Sequence, residues 1–180
     1  MKTKTINLYQ FSELSDEAKE KAIEKFRDIN VDYNWWDMTY EDAKNVNFYI
    51  LGFDLDSRCF VKGQFIVSAP DTAELIKVSH GNECETFDTA KDFLTKLNEL
   101  TSSIRSHKKS SCLYISYKEE NIEDVNEDDI EELENDFLQS LCEDYRIILT
   151  KEYEYLTSEE AIIGTIEANE YDFLEDGSLA

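Results

Sequence analysis

Residues 126–153 read NEDDIEELENDFLQSLCEDYRIILTKEY, and the spacing of their apolar residues decides the architecture of the chain. Ile130, Leu133, Phe137, Leu138, Leu141 and Tyr145 recur at intervals of three and four, the period of one helix face. Asn126 is placed to cap that helix, which is expected to run to about Tyr153. Glu127, Asp128, Glu131, Glu132, Glu134 and Asp136 fall mainly off the apolar stripe. The segment therefore predicts a packed helix that displays its carboxylates outward, rather than a solvated acidic tail.

The charge around this segment is uneven along the chain. The net formal charge is −23, yet residues 1–118 hold 19 acids against 16 bases, and residues 119–180 hold 22 acids against two bases, Arg146 and Lys151. The run from Glu119 to Asp136 has 11 carboxylates in 18 residues and no base. Carboxylates at this density repel one another unless salt or a cationic partner relieves them. Solubility alone does not require nearly all the excess charge to sit in one third of the chain. The asymmetry points to a partner-binding surface that includes Glu119, Glu120, Glu123, Asp124, Glu127, Asp128, Glu131, Glu132 and Asp136.

Outward from the acidic helix, the remaining sequence predicts a single α+β domain over residues 1–180. It is expected to have a small, mainly antiparallel sheet packed with several helices, with a near-neutral part to residue 118 and a strongly acidic helical part beyond. A chain of 180 residues is long enough for one real core, and ten Phe, ten Tyr and two Trp argue against disorder. Five Gly and one Pro leave few tight turns. Lys2–Tyr9 is strand-like. Leu14 and Ser15 supply a staple and N-cap for a helix to Ile29 with Ala18, Ala22 and Phe26 inside. A second helix is expected over Trp35–Tyr49, burying Trp36, Tyr40, Ala43 and Val46 or Asn47 and ending at Gly52.

Phe53–Cys59 alternates with period two and reads as a strand, followed by a turn at Lys62-Gly63 and a second strand over Gln64–Ala69. Pro70 and Asp71 punctuate the chain before a short helix, Thr72–Val78. Asp88 or Thr89 is expected to open a longer helix with Phe93, Leu94, Leu97, Leu100 and Ile104 on its inner face. Ser102–Ser111, with four serines and Lys108-Lys109, reads as a loop, and Cys112–Tyr117 as a returning strand. Thr157 with Glu160 matches a capping box that opens a helix through Ile162, Ile163 and Ile166. Tyr171 and Phe173 suggest a last strand.

Few residues suit chemistry. His107 lies in the polar Ser-Lys stretch, and His80 with Cys84 lacks the partners a tetrahedral zinc site needs. Asp54 and Asp56 share one face of the expected strand and could reach a divalent metal, although a solvated strand face is the better explanation. Asp124, Asn126 and Asp128 repeat the opening of a calcium loop, but Asp129 stands where glycine is required and Asn135 where a bidentate glutamate is required. No catalytic residue, metal site or cofactor is therefore assigned. The pair Trp35-Trp36 is expected to be core, with Trp35 the more exposed and available to a partner. Cys59, Cys84, Cys112 and Cys142 are widely spaced and follow no signal-like segment, as for reduced thiols in a cytosol. No apolar run approaches the roughly 18 residues of a membrane span, and the acidic surface disfavours anionic lipid and direct nucleic-acid contact alike.

Two stretches, Tyr9–Trp36 (YQFSELSDEAKEKAIEKFRDINVDYNWW) and Glu152–Gly177 (EYEYLTSEEAIIGTIEANEYDFLEDG), resemble a family of small phage and prophage proteins often labelled antitoxin of a toxin-antitoxin stability system. Together they cover less than a third of the chain, at its two ends and in the family's order. The middle departs from the family, which carries a Gly-Asp-Gly segment after its Gly-Phe-Asp strand, where this chain reads GFDLDSRCFVKGQFIVSAPD. The resemblance implies a phage or prophage protein acting in the cytoplasm of a bacterial host cell.

Phage origin and a displayed acidic face together lead to the expectation of a nucleic-acid mimic, in the manner of anti-CRISPR and anti-restriction proteins. It would inhibit a basic host defence protein, an RNA- or DNA-guided nuclease. A residue choice heavy in Lys, Asn, Ile and Tyr suits an AT-rich host and narrows the expectation to a type VI-B RNA-guided RNA nuclease, blocked at guide or target binding. The alternatives are an antitoxin that neutralises a cognate toxin through aromatic anchors such as Tyr33 or Trp35, and a metal-dependent enzyme using Asp54 and Asp56.

Overall fold

The computed structural model describes residues 6–113 and 127–180, with side chains over 6–102 and 128–180. Among them are six α-helices and one two-stranded antiparallel sheet, so the α+β class read from the sequence holds. The helices are α1 (Asp16–Lys25), α2 (Asp37–Asn45), α3 (Ala69–Ser79), α4 (Glu85–Leu113), α5 (Glu127–Leu156) and α6 (Glu159–Ala168). The strands are β1 (Phe48–Asp54) and β2 (Phe60–Phe65). The chain is organised as two compact units, one formed by Met1–Asp37 with Leu149–Ala180 and the other by Met38–Ile148. Helix α5 contributes to both.

The first unit is built from the two ends of the chain. Ser15 accepts a hydrogen bond from Ala18 N at 3.3 Å and caps α1, as its position before two acids predicts. Helix α1 stops at Lys25, short of the expected Ile29, because Phe26–Ile29 continue in tighter turns with Ile29 N bonded to Phe26 O. Ala18 and Ala22 meet Ile162 and Ile166 of α6 in a core closed by Phe11, Leu14 and Phe173. The small alanines let the helices approach closely. Gly177, at φ +83°, stands where a Cβ would come within 2.2 Å of Ala18 O, so no side chain fits there.

The strand expected over Lys2–Tyr9 is replaced by a single bridge. Lys2–Thr5 lie outside the described residues, Ile6 and Leu8 are exposed, and Tyr9 alone pairs with Phe173 through two 2.9 Å hydrogen bonds. The expected last strand at Tyr171–Phe173 reduces to that bridge and one from Phe173 to Leu179. The capping residue of α6 is Ser158, not Thr157. Ser158 Oγ accepts from Ala161 N, whereas the Thr157 hydroxyl donates back to Tyr153 O at 2.8 Å and is no longer available to cap. Ser158→Ala is expected to cost about 1 kcal/mol and Thr157→Ala much less, a contrast that urea midpoints will read directly.

In the second unit α2 ends at Asn45 rather than running to Tyr49, because Asn47 turns the chain at φ +62°, a conformation asparagine tolerates better than most residues. Phe48 and Tyr49 thereby become strand residues. β1 pairs with β2 in a register that sets Phe48 opposite Phe65 and Asp54 opposite Phe60, with an irregularity between Ile50 and Gly52. The expected strand over Phe53–Cys59 is instead a strand end and a turn. Asp54 Oδ1 accepts from Asp56 N at 3.0 Å and Ser57 N at 2.9 Å, and Oδ2 accepts from the Ser57 hydroxyl at 2.8 Å. Lys62-Gly63 lies within β2, not at the turn. The Phe48 ring covers Gly63, where a Cβ would fall 2.1 Å from Phe48 Cζ.

The second strand ends at Phe65 because Ser68 caps α3 by accepting from Asp71 N, and Pro70 occupies the first turn, where a missing N–H is harmless. That helix starts at Ala69, ahead of the expected Thr72. Helix α4 starts at Glu85, ahead of Asp88, and its backbone continues to Leu113 through the stretch expected as a loop. No Gly or Pro interrupts Glu85–Leu113, and Ser, Lys and Arg are acceptable helix formers. Residues 112–113 are therefore helical, and the rest of the expected strand to Tyr117 lies outside the described residues.

The long helix read from the opening stretch is α5, and its stripe packs as spaced. Phe137, Leu141 and Tyr145 are buried, and Ile130, Leu133 and Leu138 half-buried. The expected cap, Asn126, lies outside the described residues. The Phe137 ring stacks on Phe65 of the hairpin at 5.5 Å and on Phe93 of α4 at 4.3 Å, and Tyr145 stacks on Phe48 at 5.4 Å. Ring stacking thus ties α5 to the hairpin and to α4.

Candidate functional site

The expected acidic face falls only in part within the described residues. Glu119, Glu120, Glu123 and Asp124 lie outside the described residues, and Glu127 begins α5. Asp128, Glu131, Glu132 and Asp136 are exposed on the helix, together with Asp129, which sequence reasoning placed in the run but not among the contact residues. At 1.5 Å rise per residue, the five exposed carboxylates from Asp128 to Asp136 span roughly 12 Å, a mean spacing of about 3 Å along the axis. Nucleic acid carries one phosphate per roughly 3.4 Å for a single strand and 1.7 Å for a duplex. The helix lies between the two. No base occurs between Asp128 and Tyr145, and the next, Arg146, is engaged with Glu143 at 2.6 and 2.8 Å.

Folding redistributes the charge that the sequence separates. Residues 149–180 join residues 1–37, so the first unit holds 17 acids against seven bases and the second 24 against 11, net −10 and −13. That is roughly one net charge per seven residues in the first and one per nine in the second. The contrast between the two parts of the chain therefore does not survive as a contrast between units. What persists is the local density on α5.

Trp35 is not the exposed member of its pair. It is 8% exposed, with its ring 5.6 Å from Tyr153 and 5.7 Å from Trp36, which is half-buried. The reason is that α2 begins at Asp37, so the two tryptophans precede the helix and do not follow its facing. Tyr33 is exposed.

A partly buried polar network lies beside Tyr145 of α5, with Thr86 and Tyr145 buried and Asp42 exposed. His80 Nδ1 and Thr86 Oγ1 share a 2.8 Å hydrogen bond, His80 Nε2 stands 3.5 Å from Asp42 Oδ1, and the Tyr145 hydroxyl donates to Asp42 Oδ2 at 3.1 Å. The His80 contact holds the Asp42 carboxyl below its ordinary range, while burial pushes the Tyr145 phenol up. His80 is therefore a structural tie between α2 and the start of α4, and its side chain is not joined by Cys84, which is exposed.

Asp144 is 9% exposed, and its Oδ2 has no hydrogen-bond partner among the described residues. Burial first, and then the nearby Glu85 and Glu143 carboxylates, raise its pKa against the lowering effect of a Thr89 hydrogen bond. A raised folded pKa means that this group favours folding below 3.8 and loses that contribution as the pH rises through the folded value. Asp144→Asn is accordingly expected to raise the melting temperature at pH 7, because it removes the charge that burial penalises. The gain should shrink as the pH falls through the raised folded value and be gone by pH 3.8, which melting curves across pH will check.

Asp54 spends its oxygens on the Asp56–Ser57 turn, and these hydrogen bonds hold its carboxyl low. Among the described residues no group of three His, Cys, Asp or Glu is placed to hold a metal ion. Cys59, Cys84 and Cys142 form no disulfide, and His107 and Cys112 lie beyond the described side chains. Among the described residues no helix is long and apolar enough to cross a membrane. Compared with protein-family models, curated proteins and solved structures, the chain matches none.

Proposed function

We propose that this protein binds and inhibits a basic nucleic-acid-handling protein of a bacterial host, with α5 standing in for a phosphate backbone. The single observation that carries the reading is the row Asp128, Asp129, Glu131, Glu132 and Asp136, exposed on a helix whose opposite stripe is packed by Phe65, Phe93 and Phe48. A charge row on a rigid helix presents its carboxylates without the ordering cost a tail would incur, and complementary charge speeds encounter and sets specificity. The finer form of the proposal names a type VI-B RNA-guided RNA nuclease as target, blocked at guide or target RNA binding, in a phage or prophage setting.

The test is competition for RNA. A purified type VI-B nuclease is titrated with labelled guide RNA in the presence of increasing protein. The expected result is displacement of the guide at 50 mM salt and much weaker displacement at 500 mM, because exposed charges are screened beyond roughly 10 Å already at 0.1 M. Guide binding unaffected at low salt removes this nuclease as the target. Displacement that ignores salt rejects the mimicry.

A further inference from the structure

Between α4 and α5 lies a groove of about 110 Å³ whose chemistry goes beyond a row of surface acids. Its floor is apolar, made by Leu133 and the edges of the stacked pair Phe93 and Phe137. Its rim carries one carboxylate from each helix, Asp92 and Asp136, and the hydroxyl-bearing Thr89 and Ser140 also line it. The space is large enough to admit a small planar group such as a guanidinium.

The groove already holds a cation of this chain. Lys96 Nζ lies 2.7 Å from Asp92 Oδ2, and Asp136 acts on it from the facing helix. Lys96 remains 57% exposed, so it can swing into water with little lost packing, and a surface pair of this kind is readily given up. An ammonium has three donors, whereas two carboxylates and two hydroxyls offer more acceptors than it can use. A planar guanidinium has five donors in a fixed fork and an apolar stem suited to the Leu133 floor.

We propose that this groove receives an arginine side chain of the basic partner, whose guanidinium bridges Asp92 and Asp136 in place of Lys96. The assignment rests on the reading of α5 as a surface for a cationic protein, and it adds a second helix and a specific residue type to that surface. Arginine, rather than lysine, then anchors the complex, while the row from Asp128 to Glu132 supplies long-range attraction.

The probe is acetyl-hexaarginine amide against acetyl-hexalysine amide, titrated into the full chain at 50 mM salt. The expected result is at least fivefold tighter binding of the arginine peptide, with the Leu133 methyl signals shifting on its addition. Asp92→Asn with Asp136→Asn should weaken the arginine peptide at least tenfold and erase the preference over lysine. Asp88→Asn with Glu99→Gln, which removes the same charge from exposed positions of α4 outside the groove, should change affinity less than twofold. Lys96→Ala should tighten arginine binding at least threefold, and Lys91→Ala, equal in charge, should not. Equal loss in the two double variants, or no preference for arginine in the native chain, overturns the arginine groove and leaves the acidic helix as a general cation surface. No binding of either peptide overturns both readings.

Discussion

Replacing Asp128, Asp129, Glu131 and Glu132 together by lysine is expected to lower affinity for the cationic partner at least 100-fold and to abolish displacement of guide RNA. Each exposed ion pair contributes up to about 1 kcal/mol, so four lost pairs account for roughly 2 kcal/mol and the new like-charge contacts for a similar amount. At 1.4 kcal/mol per factor of ten, the sum corresponds to between 100- and 1000-fold. The native-to-variant gap should shrink at 1 M salt, where charges separated by more than roughly 3 Å are screened.

The variant should remain folded. The four side chains are exposed, although acids near a helix start favour the helix by about 0.3–1 kcal/mol each. A melting temperature lower by a few degrees, with unchanged helical circular dichroism, is the expected control. Inhibition retained in a folded variant would falsify the proposal that α5 is the contact surface.

Phe137→Ala is expected to cost 3–5 kcal/mol of stability, the largest effect of any single truncation considered for this chain. Phe137 is 3% exposed and its ring stacks with two others, Phe65 of the hairpin and Phe93 of α4. Truncation leaves a cavity at the only ring shared by these three elements among the described stacks, and neither neighbour can close it without losing its other contacts. Leu138→Ala, one residue along and half-buried, should cost less than half as much. Urea unfolding of the two variants decides the point. A loss under about 1.5 kcal/mol at Phe137 would mean that the stack does not tie α5 to the hairpin and α4.

The elements that were legible in the sequence are those whose signal is local. The three-and-four spacing from Ile130 to Tyr145 located α5, and Ser15 before Asp16-Glu17 located α1, because helix periodicity and capping act within one or two turns. The hairpin was displaced because its determinants are elsewhere. Asn47 at positive φ starts β1, and Gly63 reads as a turn residue until the Phe48 ring is placed over it from the opposite strand. Asp54 and Asp56 alternate like a strand face but close a turn through their own backbone neighbours. Trp35 follows the same rule, since its burial depends on where α2 begins and on Tyr153, more than a hundred residues away.

By itself the sequence determined that the chain has an α+β core, that a long amphipathic helix runs through its acidic region, and that the carboxylates of that helix face outward. All three follow from composition and from periodicities shorter than two helical turns. Tertiary structure alone decided how charge is shared in space and what lies beside the helix. Residues 149–180 pack with 1–37, which levels the charge of the two units, and α4 brings Asp92 and Lys96 across from Leu133 and Asp136. Such juxtapositions arise from burial of apolar faces between segments distant in sequence, and side-chain spacing within one segment carries no record of its partner.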